Sequence, residues 1–251
     1  MDNDFSYKFI KPEASLADFV ESIGMFHNRS DKAKDVVIVP DGRIDLFFSH
    51  SAVIPFKISL VGLETEPKQR SIAPQTCTFV ISFKPLAVEY ILRDPIADIL
   101  DSGKILPHNF WNFDSQDFTH FDLFYKKATQ KLIELLPKKT DERKRKLFDL
   151  IYVSKGEMSV KELSEQVLWS SRQINRYFTK QFGLSLKAFC TVLRFRASLE
   201  HIAQGKLAPE LQFADQTHFI KEIKKFSGVA PGELAKNKND RFVLLSVLKD
   251  A

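Results

Sequence analysis

The 251 residues are enough for one large domain or two ordinary ones, either of which could bury a core. Apolar content of 44% and charged content of 27% describe a soluble globular chain, and no apolar run approaches the ~18 residues of a membrane span. The net charge of +5 is uneven: residues 1–137 hold 15 Lys+Arg against 19 Asp+Glu, a net of −4, whereas residues 138–251 hold 22 against 13, a net of +9. A basic half joined to an acidic half points to a polyanion-binding module fused to a unit of another kind. The N-terminus begins acidic, without the basic and then apolar pattern of a signal peptide. Cys77 and Cys190 form no spacing pattern and read as buried free thiols in a reducing compartment, the cytoplasm.

In the acidic half, Leu16, Phe19, Val20 and Ile23 recur at helical spacing, which predicts a helix over 15–23 capped by Ser15. Two β-rich runs in VVIVPDGRIDLFF (36–48) flank Asp41-Gly42, a strong hairpin signal. After that turn Ile44, Leu46 and Phe48 face one way, and Arg43 and Asp45 the other. Further strands are predicted at 56–62, about 70–74, and 76–83. Short strands at this spacing suggest a small β-barrel or sandwich. Residues 85–92 look helical until Asp94-Pro95, and Phe118, Phe121, Phe124, Ala128, Leu132 and Leu135 mark an amphipathic helix over 117–136. Pro137 ends it.

A β-barrel unit invites comparison with metal-binding cupins, which need closely spaced His and carboxylate ligands. His27, His50, His108 and His120 include no such group. The half also lacks a Gly-rich phosphate loop and a nucleophile motif. No catalytic residue, metal or cofactor is therefore expected. An apolar pocket for a small molecule fits such a barrel.

In the basic half, Thr140 is read as the cap of a helix over about 141–153. Next comes SVKELSEQVLWSSRQINRYFTKQFG (159–183). Ser159 with Glu162, and Ser170 with Gln173, each form a capping box, so two short helices start there. The second buries Ile174, Phe178 and Phe182 and stops at Gly183. Arg172, Asn175, Arg176 and Lys180 lie between those positions and make the solvent-facing stripe of a major-groove reader. Ser185 then starts a long helix to about Gln204, from which Arg194 and Arg196 project.

Shifting the chain by 45 residues exposes a repeat. Ser170 falls on Asp215, Ile174 on Phe219, Phe178 on Ile223, Gly183 on Gly228, Arg176 on Lys221 and Lys180 on Lys225. Residues 216–227 thus look like a second recognition helix. The repeat fails at its first half: residues 160–167 fall on 205–212, where Gly205 and Pro209 disfavour a helix. The connecting helix, about 20 residues or ~30 Å long, would set the two readers near one duplex turn apart, about 34 Å.

Residues about 141–240 resemble the DNA-binding domain of the AraC/XylS family of transcription regulators. The resemblance rests on Ser170-x-Arg172-x-Ile174-x-Arg176-x-Phe178, Phe182-Gly183-Leu184-Ser185, Leu193-Arg194-Phe195-Arg196, Phe213-x-Asp215-Gln216-x-His218-Phe219 and Gly228-Val229-x-Pro231. It implies two helix-turn-helix units joined by a long helix. It further implies that Arg172, Asn175 and Arg176 touch base edges in one groove, and that Gln216, Thr217, His218 and Lys221 face the next. The N-terminal half resembles a sensor domain found in front of some such regulators, on VPDGRIDLFF and ISFKPLAVEYILRDP.

The expected architecture is an α+β N-terminal sensor domain, residues 1–139, and an all-α DNA-binding domain, residues 140–251. The latter comprises a first helix-turn-helix at about 159–183, a linker helix at 185–204 and a degenerate second unit at about 205–228. The expected function is sequence-specific transcription regulation without enzymatic activity. Arg172, Asn175 and Arg176, with Gln216, Thr217, His218 and Lys221 in the second unit, would read bases. Ser170, Lys180, Lys224 and Lys225, with Lys221, would hold phosphates. Candidate partners are double-stranded DNA, a small-molecule effector or partner chain, RNA polymerase and a second copy of the chain; no membrane is involved. The competing reading is a ligand-binding barrel or enzyme whose basic helices serve protein contacts.

Overall fold

The computed structural model describes residues 4–51, 55–209, 211, 213 and 215–249. The N-terminal half is β-rich: β1 Phe5–Ile10, β2 Val20–Asn28, β3 Lys34–Ile38, β4 Ile44–Ser51, β5 Lys57–Val61, β6 Lys68–Ile72, β7 Thr76–Phe83 and β8 Gly103–Leu106. Six strands form one antiparallel sheet in the order β1-β2-β7-β4-β5-β8, and β3 pairs with β6 in a separate two-stranded sheet. The C-terminal half is helical: α2 Glu142–Val153, α3 Val160–Val167, α4 Ser171–Phe182, α5 Leu186–Ala203, α6 Gln216–Ser227, α7 Pro231–Lys236 and α8 Val243–Lys249. Helix α1, Phe121–Leu135, belongs to the first half.

Strand alternation gives the large sheet two unlike faces. Ile44, Leu46 and Phe48 of β4 are buried, as are Phe79, Ile81 and Phe83 of β7. Phe48 lies 4.8 Å from Phe113 and 5.3 Å from Phe124, ring centre to ring centre, and Phe79 lies 4.9 Å from Phe124. Such tilted aromatic pairs add to plain area burial, and they bind α1 to this face. The opposite face carries Asp45, Phe47 and Ser49 and looks toward the two-stranded sheet.

Two local expectations are corrected. Residues 15–23 form no α-helix: a short 3-10 turn spans Ala14–Leu16, and β2 begins at Val20. Ile23 pairs with Ile10 on one side and Ile81 on the other, so strand partners on both edges override the local spacing. Leu16, Phe19, Val20 and Ile23 are buried all the same. Asp41-Gly42 does turn the chain, with Gly42 at φ 77°. Its flanks do not pair, because β3 and β4 belong to different sheets. Pro40 offers no ladder donor, and the turn seats on α5, where a Cβ on Gly42 would come within 2.8 Å of the Leu193 side chain. Two boundaries also move. The 117–136 helix is a 3-10 turn at Ser115–Phe118 followed by α1, and α2 is capped by Asp141 rather than Thr140.

One apolar cluster runs from Leu16 through the β-rich half into α2–α5 as far as Leu193, crossing residue 139 without a break. A second gathers Val192, Phe195, Leu199 and Ile202 of α5 with Phe219, Ile223 and Phe226 of α6, Leu234, Phe242 and Leu245, and takes in Val39 from the first half. Helix α5 thus feeds both clusters from successive turns.

Helix α4 ends at Gly183 and α6 at Gly228, both at φ 79°. A Cβ on Gly183 would sit 2.9 Å from the Ala97 carbonyl oxygen, whereas on Gly228 only Pro67 comes within 4 Å, at 3.9 Å. Either alanine is strained by about 1 kcal/mol. Gly183→Ala also clashes with backbone and is expected to cost about 2–3 kcal/mol in all. Urea midpoints of the two variants check this difference; equal losses would contradict the close approach.

Candidate functional site

Each helix of the first pair starts on a reciprocal cap. The Ser159 amide donates to Glu162 Oε2 at 2.7 Å, and the Glu162 amide to Ser159 Oγ at 3.2 Å. The Ser170 amide donates to Gln173 Oε1 at 3.1 Å, and the Gln173 amide to Ser170 Oγ at 3.3 Å. Leu168, at φ 51°, makes the turn between them. Ile174, Tyr177, Phe178 and Phe182 are buried, with Phe178 lying 5.7 Å from Phe148 and 5.6 Å from Phe189. The apolar face is therefore clamped between α2 and α5, and Arg172, Arg176 and Lys180 stand exposed on the opposite face at four-residue spacing. Ser170 is exposed at the head of the same helix.

Asn175 is placed differently. It is half-buried; its Nδ2 donates to the Ser171 carbonyl at 3.1 Å, and its Oδ1 accepts from the Leu186 amide at 3.2 Å. That second bond satisfies an orphan amide in the first turn of α5. The Asn175 amide thus ties α4 to the connecting helix α5.

In the echoed unit, Asp215 caps α6 by accepting from the His218 amide at 2.7 Å. Gln216, Thr217, His218, Lys221, Lys224 and Lys225 are exposed, while Phe219, Ile223 and Phe226 face the second apolar cluster. Gln216 Nε2 donates to the Leu207 carbonyl at 3.0 Å, and His218 lies 3.9 Å from Glu222. No helix precedes α6 among the described residues between Ala203 and Asp215; residues 210, 212 and 214 lie outside the description. Helices α7 and α8, which the sequence reading did not predict, pack Leu234 and Leu245 against α6 and α5. The connecting helix α5 has 18 residues, about 27 Å.

The two halves meet through charge as well as apolar packing. Arg196 does not project into solvent: its Nη2 donates to Glu21 Oε1 at 2.7 Å. Arg43 Nη2 donates to the same oxygen at 3.2 Å, and Lys84 lies 3.9 Å from the other. Burial opposes ionisation of Glu21, but Arg196 and Arg43 outweigh it and hold the carboxyl at about 2. Lys144 of α2 binds Glu89 at 2.6 Å, the Asp141 amide donates to Tyr90 Oη at 2.9 Å, and the Ile96 amide donates to the Gln181 carbonyl of α4 at 2.9 Å. Neither Glu21 nor Arg196 was singled out as a pair by sequence, since 175 positions separate them.

A cavity of about 420 Å³ lies between the polar face of the large sheet and the two-stranded sheet. Phe26, Phe47, Val36 and Ile72 give it apolar walls; Asp45 and Glu64 give it carboxyls. Burial, with Asp41 nearby, pushes Asp45 up to about 7, and the same two influences raise Glu64 to about 7. Among the described residues no group of His, Cys, Asp or Glu is arranged to hold a metal ion, and no helix is long and apolar enough to cross a membrane. Both cysteines are free thiols, Cys190 buried and Cys77 half-buried, and burial pushes them up to about 12 and about 11.

A family model described as a domain of unknown function, DUF6597, matches residues 8–103. No curated protein matches the chain. Three solved structures of ToxT from Vibrio cholerae are similar to it over most of its length. The unsaturated fatty acid-bound wild-type protein shows 11% identity and a TM-score of 0.44, over 93% of this chain and 95% of that one. A substituted apo form shows 11% identity and a TM-score of 0.43, over 94% and 98%. A third, solved at 1.65 Å resolution, shows 12% identity and a TM-score of 0.42, over 93% and 98%.

Proposed function

We propose that the chain is a one-component, sequence-specific DNA-binding transcription regulator of the AraC/XylS type, acting in the cytoplasm without enzymatic activity. The observation that carries this is the exposed Arg172–Arg176–Lys180 stripe on the second helix of a doubly capped pair, echoed by Lys221, Lys224 and Lys225 on α6. Arg172 and Arg176 suit bidentate contacts to guanine, each worth about 1–3 kcal/mol of discrimination. Asn175 orients the reader rather than reading bases, since its amide is occupied within the protein. Gln216, Thr217 and His218 lie on the first turn of α6 and are the candidate readers of the second groove. Lys180, Lys221, Lys224 and Lys225 suit phosphates, whereas the amide and hydroxyl of Ser170 are both taken up by Gln173.

Residues 1–139 act as the effector half and 140–251 as the DNA-binding half. They work as one packed body, and Glu21 is where the two halves' charges meet. It receives Arg43, which is also 3.4 Å from Asp41 at the cavity, and Arg196 on the helix that joins the two readers. A ligand that re-sorts the cavity's charges would bias that helix.

In vitro selection of duplex sites with the whole chain tests the reading. A two-block motif supports two readers, and one block supports α4 alone. No enrichment over random duplex overturns sequence-specific binding. Lys221→Ala is expected to weaken binding alike on all sequences and to lower the salt slope by about one, read by titration at several salt concentrations. A loss confined to certain base positions would instead make Lys221 a base reader.

A further inference from the structure

The cavity between the two sheets has a chemical bias. Six charged side chains line it: Asp41, Asp45, Glu64, Arg43, Arg70 and Lys57. Asp41 and Arg43 are taken up by each other and by Glu21: Asp41 Oδ1 accepts from the Arg43 amide at 3.0 Å, and Arg43 Nη2 reaches Glu21. Arg70 is exposed and its Nη1 donates to the Gln69 carbonyl; Lys57 is exposed at the start of β5. The two remaining carboxyls lie deeper. Asp45 stands on the central strand β4, flanked by Ser82 of β7 and Val61 of β5. Its Oδ1 is fully enclosed and has no hydrogen-bond partner. Glu64 follows β5 at the same end of the cavity and is mostly buried.

An enclosed carboxyl oxygen without a donor is costly, and a second carboxyl beside it adds repulsion. Burial, with Asp41 nearby, pushes both groups up to about 7, and the cations around them, Arg43 for Asp45 and Arg70 with Lys68 for Glu64, do not offset it. An ammonium group supplies what is missing: positive charge and up to three donors. Around it lie Ser49, Ser59 and Thr78 as further acceptors, and the rings of Phe26 and Phe47 as an apolar bed.

We propose that this cavity binds a small organic cation, an alkyl or aryl amine, with its ammonium group on Asp45 and Glu64 and its apolar body against Phe26, Phe47 and Ile72. The proposal rests on the reading of the β-rich half as the effector half and names the chemical class of the effector.

The test is calorimetric titration of the whole chain, without DNA and near neutral pH. The probes are cyclohexanemethylamine and 1,5-diaminopentane, with cyclohexanemethanol and cyclohexanecarboxylate as the neutral and anionic matches of the first. At least one amine is expected to saturate, with a Kd at least tenfold below those of the alcohol and the carboxylate. Asp45→Asn and Glu64→Gln should each weaken that amine at least tenfold. Both variants replace a carboxyl by its neutral isostere, and an unchanged thermal midpoint or a higher one verifies that each folds. No amine binding at millimolar concentration overturns the proposal. So does equal or tighter binding of the alcohol or carboxylate, or amine binding that both folded variants retain. A parallel gel shift separates the two readings. Amine binding without DNA binding leaves this proposal and removes the regulator; DNA binding without amine binding does the reverse.

Discussion

Replacing Arg172 and Arg176 together with alanine is expected to lower affinity for the selected site by about a hundredfold or more, while leaving the fold intact. Each bidentate guanine contact is worth about 1–3 kcal/mol, and each 1.4 kcal/mol is tenfold, so two contacts near the middle of that range reach about a hundredfold even if they add only in part. The fold should survive because both side chains are exposed on the face of α4 opposite Ile174, Phe178 and Phe182. Exposed substitutions away from caps and cores usually stay within about 0.5 kcal/mol, and alanine favours the helix. The double variant should lose its preference for site over random duplex, since base contacts rather than phosphate contacts carry that preference. Lys180→Ala is the control, expected to weaken both duplexes alike. Competition binding against random duplex reads the ratio directly. A folded double variant with the ratio intact would show that α4 does not read bases.

What could be read in the sequence was what local chemistry decides. Both capping boxes, the glycine stops at 183 and 228, the extent of α5 and α6, and the outward set of Asp45 against Ile44, Leu46 and Phe48 all depend on neighbours within a few residues. That no helix precedes α6 among the described residues between Ala203 and Asp215 agrees with the local action of Gly205 and Pro209. The failures share the opposite cause. The spacing of Leu16, Phe19, Val20 and Ile23 fits a helix, but β7 claims the chain from Val20 and β1 from Ile23, leaving Leu16 in a 3-10 turn. Asp41-Gly42 has the chemistry of a hairpin, yet whether its flanks pair is settled by α5 and the second sheet. Exposure on a helix was read from periodicity alone. That reading serves Arg172, Arg176 and Lys180 but misplaces Arg196, which lies at the boundary of the two apolar clusters and meets Glu21 from the other half of the chain. The cavity carboxyls were equally hidden, since Asp45 is polar on a polar sheet face until β3 and β6 close over it.

The Glu21 junction also bears on how such a protein could respond to a ligand. The halves share a continuous core, so no flexible tether separates the cavity from α4 and α6. A signal from the cavity has to act through packed contacts, and α5 is the element best placed to receive it. Its early turns hold α4, its later turns hold α6, and Arg196 stands where the two sets of contacts change over. In that position a shift of the helix would move α4 and α6 together.

Glu21→Ala is accordingly expected to destabilise the protein by about 3 kcal/mol, toward the low end for a broken buried ion pair because both partners keep some exposure. Arg196 and Arg43 side chains are only 21% and 15% exposed, and without Glu21 both lose their shared acceptor while Lys84 adds further like charge. The comparison that isolates the charge is Glu21→Gln, Arg196→Met and the double variant. Each single change leaves a buried polar group short of a partner, whereas the double removes both ends, so its loss should be well below the sum of the singles. Equal additivity in urea denaturation would mean that the pair contributes nothing beyond packing. Acid titration gives a second reading with a fixed sign. Glu21 falls from an ordinary 4.5 to about 2 in the folded chain, because Arg196 and Arg43 overcome the opposing effect of burial. The stability it contributes is complete above about 4.5 and is lost as the pH falls toward 2. Glu21→Gln has no carboxyl to titrate there, so its stability should fall less steeply with acid over that window than that of the parent chain. Parallel acid limbs in the two proteins would remove Glu21 from the junction.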